Sequence, residues 1–139
     1  MSQQSTVEAF NQRGVGRLPS YLGIVFTEAA GTEVCAEIKI EERHLAPNGY
    51  LHAGTVVTLA DTCCGYGCFA NLPVGANGFT TVELKSNHLG TAVQGTVVSR
   101  AKAAHMGRTT QVWDAVVSHR ETGKTIALFR CTQMILYPK

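Results

Sequence analysis

The chain has 139 residues, 45% of them apolar, and a formal net charge of +2. This length and hydrophobicity specify one globular domain with a full core and exclude a disordered chain. The charge is too small to argue for nucleic acid, and no apolar run approaches the roughly 18 residues of a membrane-spanning helix, so neither partner is expected.

Residues 4–12 read as a short helix, with Ser5 as its cap and Glu8 three positions on. Gly14, Gly16 and Pro19 end it, which makes 1–19 an N-terminal extension ahead of a single domain over 20–139. No apolar run follows a basic segment there, so no signal peptide is expected. Tyr21 to Ala29 reads as a strand, and 30–32 as a turn. Glu33 to Glu41 alternates, with Val34, Ala36, Ile38 and Ile40 on one face, the mark of a half-buried strand. Residues 45–51 form a loop with Pro47, Asn48 and Gly49. Residues 54–71 then read as a helix that is apolar nearly all round and therefore buried. After a loop at 73–78, strand-like runs follow at 79–89, 93–103, 108–119 and 125–137, punctuated by Gly90, Gly107 and Gly123. The short gaps favour antiparallel neighbours. This is an α+β pattern in which a curled antiparallel sheet wraps one long central helix. One curled sheet cannot cover every side of such a helix, so a dimer at least is expected.

The chemistry concentrates around that helix. Asp61 is its one acid, among Val56, Val57, Leu59, Ala60, Cys63 and Cys64. A carboxylate there is costly to desolvate, which marks it for chemistry rather than packing. The polar stripe beside it is Thr58 and Thr62, with Thr55 a turn earlier. His52-Ala53-Gly54 opens the helix, where the first N–H groups lack intrahelical partners and can hold a developing oxyanion. Asp61 lies about 12 Å along the axis from that end. One helix cannot aim both at one carbonyl; a two-fold dimer can.

Together, His52-Ala53-Gly54, Leu59-Ala60-Asp61, Thr81-Val82-Glu83-Leu84-Lys85 and His105-Met106-Gly107-Arg108 resemble the hotdog-fold acyl-CoA thioesterases over about residues 20–137. The likeness is to the phenylacetic-acid-degradation type, which includes 4-hydroxybenzoyl-CoA thioesterases with the acid on the central helix. It implies a hotdog fold, and hydrolysis of an acyl-CoA or aryl-CoA thioester with no resident cofactor. By the same resemblance Asp61 is nucleophile or general base, the Ala53 N–H polarises the carbonyl, and Thr81 helps to place water. His52 and Asn48 position groups around them, with Gly54 contributing to substrate binding. Three positions depart from the family pattern. Ala53 stands where glycine is usual, Ala46 where an Asn or Gln is usual, and Gly65 where some relatives carry Ser or Thr.

The five cysteines, with no zinc-like pairing, read as reduced thiols of a cytoplasmic protein and as small apolar side chains, not nucleophiles. The histidines show no ligand spacing, so no metal is expected. Arg100, Lys102, His105 and Arg108 cluster around one hairpin. They are equally a solvated strand edge or a dock for the phosphates of coenzyme A. Two other activities fit the resemblance less well. A hydratase or dehydratase of enoyl or 3-hydroxyacyl thioesters would make His52 essential, and a non-catalytic acyl-CoA binder would not need Asp61. The expected assembly is a homodimer or homotetramer.

Overall fold

In a computed structural model that describes residues 2–139, the chain begins with helix α1 (Gln3–Arg13). Its cap is Ser2 and not Ser5: the Ser2 hydroxyl oxygen accepts the Ser5 N–H at 3.1 Å. Phe10 anchors α1 in the core, edge-on to Phe26 and Tyr66. Asn11 adds a two-way clamp, accepting the Phe26 N–H and donating to the Phe26 carbonyl.

The expected strand from Tyr21 is corrected. Residues Leu18–Tyr21 form a short helix, α2, with Pro19 in its first turn. Proline is pre-set for that position because its missing N–H is not needed there. Gly23, at φ +72°, then turns the chain into β1 (Val25–Ala30). The Arg43 guanidinium on the Tyr21 carbonyl and His44 Nε2 on the Leu22 carbonyl hold this corner. No local pattern announces either partner.

The remaining elements are β2 (Glu33–Lys39), a single 3-10 turn at Glu42–His44, helix α3 (Ala53–Ala70), β3 (Gly78–His88), β4 (Thr96–Met106), β5 (Thr110–His119) and β6 (Thr125–Leu136). The strands form one antiparallel sheet in the order β1-β2-β4-β5-β6-β3. Helix α3 lies against β2, β4, β5 and β6, burying Val56, Leu59, Ala60, Cys63, Cys64 and Cys68. The close approach in its last turn requires Gly67. A Cβ there would lie 2.6 Å from the fully buried Trp113 ring of β5. Among the described residues no helix is long and apolar enough to cross a membrane.

Two of the sheet's register shifts bear on the candidate residues. In β4 the register shifts between Ala103 and His105, which puts His105 on the outer face with Arg100 and Lys102. In β3 it shifts between Thr81 and Glu83. Thr81 stays on the inner face opposite Gln133, Glu83 turns outward, and Leu84 takes the next inner position opposite the buried Cys131. β3 pairs only with β6, and most of its residues are exposed. Its other edge is free, and Val82 and Leu84 on it are 52% and 43% exposed.

Candidate active site

The site residues divide between two clefts on opposite stretches of α3. The first lies at the helix start. His52 is the cap, and its Nδ1 accepts the Gly54 N–H at 2.7 Å. The proton of a neutral His52 therefore sits on Nε2. The His52 carbonyl accepts the N–H groups of Thr55 and Val56 at 3.0 and 3.3 Å. Of the helix's four opening N–H groups, only that of Ala53 finds no acceptor among the described residues. Unpaired and exposed, it is where the positive end of the helix meets the cleft. Alanine costs nothing here, since no non-glycine residue has positive φ.

Asn48 lines this same cleft with Ala46, Tyr50, His88 and Thr91. Its Oδ1 accepts the Tyr50 N–H at 3.1 Å, which leaves its NH2 free to donate. The loop that carries it is closed by the Leu45–Leu51 bridge and turned by Gly49 at φ +88°. Ala46 presents only a methyl group to the cleft. His88 and Thr91 carry no signal in the sequence, because their approach depends on the β3 bulge and the loop behind it.

The second cleft, about 230 Å³, opens beside Asp61 and is lined by Thr62, Tyr66, Phe69, Phe79, Thr81 and Arg13. Asp61 Oδ1 is buried and receives no hydrogen bond. Burial raises its pKa above the ordinary carboxylate value of 3.8. Thr81 shares the cleft, as the resemblance implies. Thr58 and Thr55 do not, since they donate to the Gly54 and His44 carbonyls. Arg13 reaches in from α1 with its guanidinium 4.0 Å from the Phe69 ring centroid. Arg13 could not be assigned from the sequence, because α1 and α3 meet only through tertiary packing.

The basic residues do not converge as one cluster. Arg100 pairs with Glu28 at 3.4 Å and Lys102 with Glu33 at 3.5 Å, all largely exposed. Arg108 lies in the β4–β5 turn, its guanidinium 5.9 Å from the Tyr137 ring centroid. The cysteines are buried and free, and burial pushes Cys63 up to about 12 and Cys35 to about 11, so neither supplies a thiolate at neutral pH.

A curled antiparallel sheet round one apolar helix agrees with the comparisons to known proteins. The thioesterase superfamily model matches residues 48–126, a stretch that includes Asn48, Ala53, Asp61 and Thr81. The chain belongs to the thioesterase superfamily. It is 30% identical to a 1,4-dihydroxy-2-naphthoyl-CoA hydrolase of Listeria monocytogenes, over 83% of this chain and 92% of that one. It superposes on a mutant of the thioesterase PA1618 of Pseudomonas aeruginosa with a TM-score of 0.88 at 29% identity, covering 94% and 93% of the two chains. The PaaI protein from the phenylacetic acid degradation operon of Escherichia coli shares the fold, with a TM-score of 0.81 at 21% identity over 97% and 96%. The hotdog architecture and the enzyme class, thioester hydrolase, are those the sequence leads one to expect.

Proposed function

We propose that this protein hydrolyses acyl- or aryl-CoA thioesters in a site shared by two copies of the chain. The observation that carries the reading is the pairing of one unsatisfied N–H with one unsatisfied carboxylate oxygen on the same helix, in separate clefts. A two-fold partner docked along the free edge of β3 brings its Ala53 N–H to the Asp61 cleft. The thioester carbonyl then lies against that N–H, which accumulates no reorganisation cost as negative charge develops on oxygen. Asp61 either attacks the carbonyl carbon, giving a mixed anhydride that water then hydrolyses to regenerate the carboxylate, or takes a proton from the attacking water, helped by its raised proton affinity. The C–S bond breaks and coenzyme A leaves as the thiol.

His52 supports this arrangement as the cap that occupies the Gly54 N–H, and Gly54 leaves room for it: a Cβ there would lie 2.9 Å from His52 Nδ1. With Nδ1 so committed, His52 is poorly placed as the acid–base catalyst a hydratase needs. Asn48 supplies a free amide donor beside the carbonyl. With Arg100 and Lys102 facing carboxylates, His105 and Arg108 are the better anchors for the coenzyme phosphates. The rings of Tyr66, Phe69 and Phe79 favour a flat acyl group.

A thiol-release screen over short, medium, long and aromatic acyl-CoAs tests the reading, with Asp61→Asn as control. The expected result is turnover, best with aromatic acyl groups, and a loss of at least about 100-fold in kcat in the variant. Turnover that survives the substitution removes Asp61 from the mechanism.

A further inference from the structure

Gln133 sits fully buried on the inner face of β6, directly opposite Thr81 on β3. Its Oε1 accepts the Thr81 hydroxyl proton at 2.7 Å, and its Nε2 donates to Cys131 Sγ at 3.4 Å. The neighbouring buried amide, Gln111, is committed elsewhere. Its Nε2 donates to the Asn71 carbonyl at 2.9 Å and its Oε1 accepts the Trp113 Nε1–H at 2.8 Å. Gln133 is therefore the acceptor that fixes the Thr81 rotor.

Packing does not explain that choice of side chain. A buried amide is costly unless its hydrogen bonds are good, and a thiol is a weak partner. The Thr81 hydroxyl, open to the cleft, would be satisfied by solvent without any help. What the amide changes is direction. A hydroxyl has one proton and two lone pairs. With the proton held by Gln133, Thr81 shows the cleft only lone pairs.

We propose that Gln133 is a positioning residue for hydrolysis, acting through Thr81 to orient the attacking water. This rests on the site reading above, in which Asp61 and Thr81 serve one reaction. A water between the Asp61 carboxylate and the Thr81 oxygen meets two acceptors and donates one hydrogen to each. Its two lone pairs then point away from both, and one of them faces the thioester carbonyl. As the O–C bond forms, the proton facing Asp61 passes to that carboxylate. The tetrahedral adduct collapses, the C–S bond breaks, and the departing thiolate takes up the proton from Asp61. If Thr81 were free to donate, the water would accept from it on one of its two lone pairs, and the orientation that aims the other at the carbonyl would be lost.

The test is a double-mutant cycle on kcat and KM with full acyl-CoA, with melting temperature measured alongside. Gln133→Met should lower kcat about tenfold and leave KM within about twofold, as loss of orientation and not of binding does. Thr81→Val should lower kcat at least as much, and adding Gln133→Met to it should cost nothing further. Gln133→Glu, whose protonated acid still accepts from Thr81 and donates to Cys131, should stay within about threefold of the wild type. Losses that multiply in the double variant overturn the proposal. So does a normal kcat in Gln133→Met beside a slow Thr81→Val. Should Gln133→Met lack a cooperative melt, Gln133→Leu takes its place, and a Gln133→Glu as slow as Thr81→Val is then equally damaging. If Thr81→Val and Asp61→Asn both turn over normally, it is the site reading that fails, and the role of Gln133 falls with it.

Discussion

Asp61 pays for its place: one oxygen is buried without a partner, and desolvation favours its protonated form in the folded chain. A carboxyl whose folded pKa is raised contributes stability below its unfolded value, and that contribution is lost as pH rises through the folded one. At neutral pH the ionised Asp61 is thus a burden on the fold. Asp61→Asn should melt at a higher temperature than the wild type at pH 7, with the advantage gone below the ordinary value of 3.8. Thermal melts across this range read it directly, and an advantage independent of pH would mean that Asp61 is not the cause. In the active enzyme the same shift places the acid limb of kcat/KM above 3.8. Burial raises the pKa of Cys63 and Cys35 too, which keeps them as neutral thiols. Cys63 is fully buried and donates to the Val34 carbonyl at 3.2 Å, an apolar-core role with one weak bond. Cys63→Ala should keep its turnover and lose about 1–2 kcal/mol in urea unfolding, the scale for a small cavity and one lost bond. A folded variant without turnover would make the thiol catalytic.

Among the elements α3 matters most, and its first residue offers an unusually clean substitution. Proline suits the first position of a helix, where φ near −65° is wanted and no N–H is used internally. His52, at φ −69° and ψ 133°, already has the extended conformation that a following proline imposes. Ala53→Pro should therefore leave the circular dichroism spectrum and melting temperature close to the wild type. It deletes the one free N–H of the helix start, and kcat should fall by about 100-fold or more, the scale for losing an oxyanion donor. A Pro variant with normal kcat would end the oxyanion role of this backbone group. β3 shows how an element can contradict its own pattern. Strict alternation places Glu83 and Lys85 on the Thr81 face; the bulge sends Glu83 outward and keeps the inner face apolar at Leu84.

For the assembled molecule, the question is whether two copies complete what one cannot. Within a chain, the Ala53 N–H and the Asp61 carboxylate open into different clefts, and under the proposed shared site each copy contributes one group to each of two sites. Subunits carrying Asp61→Asn and subunits carrying Ala53→Pro are each expected to be inactive as homodimers. Mixed and allowed to exchange, they form heterodimers in which one of the two sites has both native groups. The regained activity should approach about a quarter of wild type, for statistical mixing of two-fold dimers. If exchange is demonstrated, for instance with two affinity tags, and no activity returns, both groups work within one chain.

Elements with a local signal are legible in the chain alone. The apolar run after His52 marks α3 to within a residue at each end, and the alternation at Val34, Ala36, Ile38 and Ile40 marks β2. The spacing from His52 to Asp61 is a property of one helix, so the separation of the helix start from that acid follows from the sequence. Helix periodicity and strand alternation are written in neighbouring residues, which is why they survive without tertiary information. Register, and contacts between distant segments, are settled by folding instead. α2 replaces the start of a strand because Arg43 and His44 hold the Tyr21 and Leu22 carbonyls. Arg100 faces Glu28 across 72 residues of sequence, and the bulge in β4, not the turn at Gly107, sets which side His105 takes. Arg13, Phe79 and Gln133 join the Asp61 and Thr81 neighbourhood from three separate elements. No composition or period encodes such meetings, because each is fixed by how the sheet curls and pairs around the helix rather than by the residues beside it.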